Sequence, residues 1–80
     1  MQLVLLRIKA RQAHAVKVQE VLTKHGCDIM LRLGLHEVSD AACADDGLVI
    51  LQVKPEQSVV NSLVSDLQAV VGVEVKSISM

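Results

Sequence analysis

Phenylalanine, tyrosine and tryptophan are all missing from this 80-residue chain. Without aromatic rings there is no platform on which single-stranded bases could stack. Charge of one sign is lacking too: 8 basic and 9 acidic residues are mixed along the chain, for a net charge of −1. A balanced surface of this kind does not generate the field that draws a protein onto DNA, RNA or an anionic membrane. Direct nucleic-acid and membrane partners are therefore not expected. Cysteine is scarce, and Cys27 and Cys43 form no CxxC pair. Two cysteines build no disulfide scaffold, so the reading is a cytoplasmic protein with reduced thiols. The apolar run within Met1–Ile8 is short and broken by Arg7, too short for a signal sequence or a membrane span.

Aliphatic residues are abundant by contrast. Apolar residues make up 51% of the chain. A chain of this size hides only about 60% of its unfolded surface. The surplus of apolar side chains points to a subunit interface.

The period of the apolar residues divides the chain into six elements. Leu3-Val4-Leu5-Leu6-Arg7-Ile8 is short, nearly all apolar and reads as a strand buried on both faces. From Gln12 to His25, Ala15, Val18 and Leu22 make a helical stripe, with Val21 beside them, and Gly26 offers a left-handed stop. Ile29 to Val38 alternates: Ile29, Leu31, Leu33 and Leu35 face one way, Met30, Arg32, Gly34 and His36 the other. Ser39 to Asp46 has turn chemistry and leads through Asp46-Gly47 into a third strand, Gly47 to Lys54. Pro55 suits a helix entry, and Val60, Leu63, Val64, Leu67, Val70 and Val71 repeat at helical spacing. Gly72 ends that helix before a last alternating strand, Val73 to Ile78.

Strand, helix, strand, strand, helix, strand is the α+β, ferredoxin-like order. Right-handed crossovers reduce its solutions to one four-stranded antiparallel sheet with both helices on one face, as a single domain spanning residues 1–80. The inward set is expected to be Val4, Leu6, Ile8, Ile29, Leu31, Leu33, Val49, Leu51, Val53, Val73 and Val75. The open face should then carry Leu3, Leu5, Met30, Leu48, Ile50 and Ile78, with Arg7, Arg32, Gln52, Glu74 and Lys76. Aliphatic side chains at the centre of an open sheet are an aggregation hazard unless a second subunit covers them. Leu3, Leu5, Met30, Leu48 and Ile50 are accordingly read as the interface of a homo-oligomer, a dimer or a tetramer.

Chemistry-bearing residues are few. His14, His25, His36, Cys27 and Cys43 are the soft metal ligands besides methionine. A transition-metal site needs several of them converging. His36 and Cys43, flanking the hairpin, form the one pair expected to meet, and would need a neighbouring subunit to complete a site. A metal- or redox-sensing module built on that pair is the alternative reading. No nucleophile–base–orienter set, P-loop or G-x-G-x-x-G is present, so neither an enzyme nor a cofactor is expected. Arg32, with a fork suited to carboxylate or phosphate, and Gly34, open to close approach, are candidate ligand-binding residues. Arg11 and Gln12 at the first helix N-terminus join them, because free amides point there. A small-molecule effector would sit among these four, near the first strand–helix loop.

Three stretches together resemble the iron-only hydrogenase system regulators, a family of small ACT-like proteins. They are Asp28-Ile29-Met30-Leu31-Arg32-Leu33-Gly34-Leu35, Gly47 to Val53, and Leu63 to Lys76 with its Val71-Gly72-Val73-Glu74-Val75-Lys76 ending. The resemblance implies a ferredoxin-like fold, self-association and a regulatory role beside hydrogenase assembly. The chain departs from two related groups. ACT domains that bind amino acids often carry a glycine or an acidic residue in the first strand–helix loop, where this chain has Lys9-Ala10-Arg11-Gln12. The C-terminal domains of nickel-responsive repressors place a metal-binding cysteine where this chain has Gly47, in Asp45-Asp46-Gly47-Leu48, so nickel binding does not carry over.

Overall fold

A computed structural model describes residues 1–9, 11–38 and 43–80; the side chains of residues 11–12, 35–38 and 43–46 lie outside that description. Strand β1 (Gln2–Ile8) leads into helix α1 (Arg11–Lys24), a short 3₁₀ turn (Gly26–Asp28) and strand β2 (Ile29–Val38). Strand β3 (Cys43–Val53), helix α2 (Gln57–Gln68) and strand β4 (Val73–Ser79) complete the chain. All four strands join one antiparallel sheet in the order β2-β3-β1-β4. This is the expected α+β, ferredoxin-like topology.

The core forms where the inner side of the sheet meets one stripe of each helix. Val4, Leu6 and Ile8 from β1 and Val49, Leu51 and Val53 from β3 pack against Val18 and Leu22 of α1 and Val60, Leu63 and Leu67 of α2. Ile29, Val73 and Val75 border this cluster. Fully burying each of these side chains contributes about 1.5–3 kcal/mol before conformational entropy is deducted. Helix α1 packs over β1 and β3, and α2 over β4, so β2 lies largely outside their cover.

Several local expectations are revised. Helix α2 ends at Gln68, leaving Val70 and Val71 in the following turn; Val70 still packs against the core, whereas Val71 is 78% exposed. Gly26 is not left-handed, because α1 runs on into the 3₁₀ turn instead of stopping at an αL residue. Strand β3 begins at Cys43, so the backbone of Asp45 and Asp46 is strand, not turn. Hairpin pairing, with Val38 opposite Cys43, outweighs the local turn preference of the two aspartates.

The largest revision concerns β2. Ile29 lies opposite Val53, but Leu31, not Met30, lies opposite Gln52. Met30 is thus an extra residue, a β-bulge, and beyond it the side-chain alternation is inverted. Leu31 and Leu33, expected in the core, are 54% and 48% exposed on the open face. Arg32 and Gly34, expected on the open face, stand opposite Leu51 and Val49 on the inner side. The physical reason is that the helices do not reach over β2. Leucines turned inward there would find little to pack against, whereas on the open side they join Ile50 and its neighbours.

Gly72 is the position where backbone conformation dictates the residue. Its φ of 81° lies in the left-handed region, and an added Cβ would come within 2.6 Å of the His14 ring. Its carbonyl accepts a hydrogen bond from the Lys9 amide at 2.8 Å, tying the turn before β4 to the end of β1. On the far side, His25 is buried and its Nε2 lies 2.7 Å from Asp66 Oδ2, which also accepts from Lys24 Nζ at 2.9 Å. These contacts clasp the end of α1 to α2. The hydrogen bond with His25, and then that with Lys24, holds the Asp66 carboxyl below its ordinary value.

Gly72→Ala is expected to destabilise the fold by about 1–3 kcal/mol in urea titrations, and adding His14→Ala should recover the steric part but not the backbone strain. Because the Asp66 carboxyl is depressed in the folded state, its contribution is present above the unfolded value near 3.8 and is lost on acidification through the lower folded value. Asp66→Asn should therefore lower Tm at neutral pH, with the gap to the parent protein closing below about pH 3.8.

Candidate functional site

The site is the side of the sheet that no helix covers. Residues directly opposite in an antiparallel ladder point to the same face, so the strand registers generate three rows. The first is Leu31, Gln52, Leu3 and Ile78; the second Leu33, Ile50, Leu5 and Lys76; the third Leu35, Leu48, Arg7 and Glu74, with Leu35 placed by its backbone alone. Seven described aliphatic side chains (Leu3, Leu5, Leu31, Leu33, Leu48, Ile50 and Ile78) thus share one face. The charged groups gather at one corner, where Arg7, Glu74 and Lys76 lie close to the Lys9–Glu74 ion pair of 2.9 Å. That pair is solvent-exposed and contributes at most about 1 kcal/mol.

A shallow depression of about 250 Å³ opens in this corner, with Leu5, Leu48, Arg7, Glu74 and Lys76 among its lining residues. Sites for drug-sized ligands are typically about 300–1,000 Å³ and enclosed. The depression is better matched to side chains of a docking protein surface than to an engulfed small molecule.

Leu3, Leu5, Leu48 and Ile50, expected at an interface, do share this face. Met30 is exposed but occupies the bulge. The backbone positions of the four expected ligand-binding residues fall in two places, Arg11 and Gln12 at the start of α1 and Arg32 and Gly34 within β2. Helix α1 begins with Arg11 and Gln12 just beyond the Ile8 end of β1, and the side chains of both lie outside the described residues. Arg32 is two strands away and in register with Val4, four residues back along β1. At about 4.8 Å per strand and about 3.3 Å per residue this separates Arg32 from the end of β1 by roughly 16 Å.

The alternative pair is not matched by the hairpin register either. Cys43 lies opposite Val38, whereas His36 lies opposite Gly47; their side chains are outside the described residues. Among the described residues no group of three or more His, Cys, Asp or Glu side chains is arranged to hold a metal ion. No described helix is long and apolar enough to cross a membrane. Sequence reasoning missed two features. The His25–Asp66 contact joins residues 41 apart, and neither neighbourhood carries a motif that signals it. Leu31 and Leu33 were assigned to the wrong face, although their unbroken alternation with Arg32 and Gly34 is compatible with either.

No family model matches the chain, and no curated protein matches it. Among solved structures it is similar to an uncharacterized protein from Thermotoga maritima, with a TM-score of 0.83, 22% identity, and coverage of 96% of this chain and 91% of the other. That likeness establishes the fold.

Proposed function

We propose that this protein is a small, non-catalytic regulatory or assembly module that self-associates through the open face of its sheet. The observation that carries the reading is the shared orientation of Leu3, Leu5, Leu31, Leu33, Leu48, Ile50 and Ile78 on the face that neither helix packs against. A contiguous patch of this kind on a small domain marks an interaction surface. A second copy placed sheet to sheet would bury it, leaving Arg7, Glu74 and Lys76 at the rim.

The size of the face favours reversible association. Four strands at about 4.8 Å and seven residues at about 3.3 Å span roughly 19 by 23 Å, or about 900 Å² over two copies. That is below the roughly 1,600 Å² of a standard stable interface and in the range of transient ones. A weak interface responds to any effector with different affinities for its associated and separated states, which is how a regulator without an enclosed pocket would act. The regulatory part of the reading comes from the resemblance of Asp28–Leu35, Gly47–Val53 and Leu63–Lys76 to iron-only hydrogenase system regulators.

Sedimentation velocity at micromolar concentration should reveal an oligomer, and a strict monomer would overturn the reading. Leu5→Asp or Ile50→Asp should shift the population to smaller species by at least about tenfold in apparent dissociation constant, because each buries an unpaired charge in the contact. An unchanged oligomer in both variants would place the interface elsewhere.

A further inference from the structure

All three methionines of the chain are exposed: Met1 by 62%, Met30 by 61% and Met80 by 81%. Methionine is ordinarily a flexible filler of irregular gaps in a core. Here the buried core is built of valine, leucine and isoleucine, and the methionines gather at one end of the open face. Met1 and Met80 lie opposite each other: the Met1 nitrogen donates to the Met80 carbonyl and the Met80 amide to the Met1 carbonyl, each at 2.8 Å. They stand two residues beyond Leu3 and Ile78, so strand alternation places them on the same side of the sheet as that pair. Met30, at the bulge, adjoins Leu31, which shares a row with Leu3 and Ile78 across Gln52. The opposite end of the face carries the charges of Arg7, Glu74 and Lys76.

An exposed thioether is a reaction site as well as an apolar contact. The chain has no tryptophan or tyrosine to compete for an oxidant. Hydrogen peroxide delivers a single oxygen atom: the sulfur lone pair attacks, the O–O bond breaks as the S–O bond forms, sulfur gives up two electrons, and the peroxide leaves as water. The sulfoxide that results is polar and a hydrogen-bond acceptor. Burying such an acceptor without a donor is unfavourable.

We infer that Met1, Met30 and Met80 form a reversible oxidation site through which a peroxide releases the self-association of the open face. The inference rests on the face-to-face reading above and names its regulation. Sulfoxides beside Leu3, Leu31 and Ile78 become buried when two sheets meet and stay hydrated when the copies separate, so oxidation favours separated copies. Linkage is reciprocal, and association in turn shields the sulfurs. The core holds no methionine, which confines the response to assembly. A methionine sulfoxide reductase reverses the step: two thiols become a disulfide, and the oxygen leaves as water.

The test uses the full chain carrying Cys27→Ser and Cys43→Ser, so that methionine is the oxidised residue. After peroxide treatment, with one added oxygen per methionine verified by intact mass, sedimentation velocity should show an apparent dissociation constant raised about tenfold or more. The far-UV circular dichroism should not change, and reductase with dithiothreitol should restore association. Met30→Leu combined with Met80→Leu should associate like the parent and lose most of the peroxide response. Met30→Gln combined with Met80→Gln, polar without any oxidant, should be weakened by a similar factor. Oxidised protein that associates as tightly as before, or that separates only because it unfolds, overturns the inference and leaves the face-to-face reading standing. A leucine pair that responds in full overturns it as well. A parent that is monomeric before peroxide is added overturns both.

Discussion

The pairing of β2 with β3 across one extra residue, Met30, governs what the open face of this protein presents. Side chains alternate along a strand with a period of two, so a single inserted residue exchanges the faces of everything beyond it. Ile29 keeps its place beside the core, and Leu31 and Leu33 are delivered to the opposite side. Without the bulge the open face would lose two leucines and gain an arginine. The apolar rows that continue across β3 and β1 would then stop one strand short.

The bulge follows from how little the helices cover. Two helices of 14 and 12 residues are enough to roof β1, β3 and β4. β2 is left largely outside, and beyond Ile29 its inner side offers leucine little to pack against. Arginine and glycine tolerate that position, one reaching water through its long side chain and the other exposing no side chain at all. The same shortage of cover makes β2 an accessible edge. A small core and a bare sheet face are thus two consequences of a chain with more aliphatic residues than its two helices can enclose.

Holding the two helices in place falls to contacts at opposite ends of the sheet. Gly72, fixed in a left-handed turn beneath the His14 ring, sets where β4 starts relative to β1. The His25–Asp66–Lys24 cluster fixes the end of α1 against α2. Neither contact takes part in the open face.

Much of the architecture was legible in the residues themselves. Helical spacing in Val60, Leu63 and Leu67, the alternation around Val4, Leu6 and Ile8, and the order of elements identify the ferredoxin-like arrangement, because short-range periodicity records which side of each element is buried. Leu3, Leu5, Leu48 and Ile50 could be assigned to one face for the same reason. Periodicity does not record which of two faces a regular strand turns inward, nor where an extra residue interrupts it. Those were decided by the tertiary structure, through the reach of the helices and the pairing of β2 with β3. The roughly 16 Å between Arg32 and the end of β1 was decided there too. Such distances depend on strand order and register, which arise only when elements far apart in sequence meet.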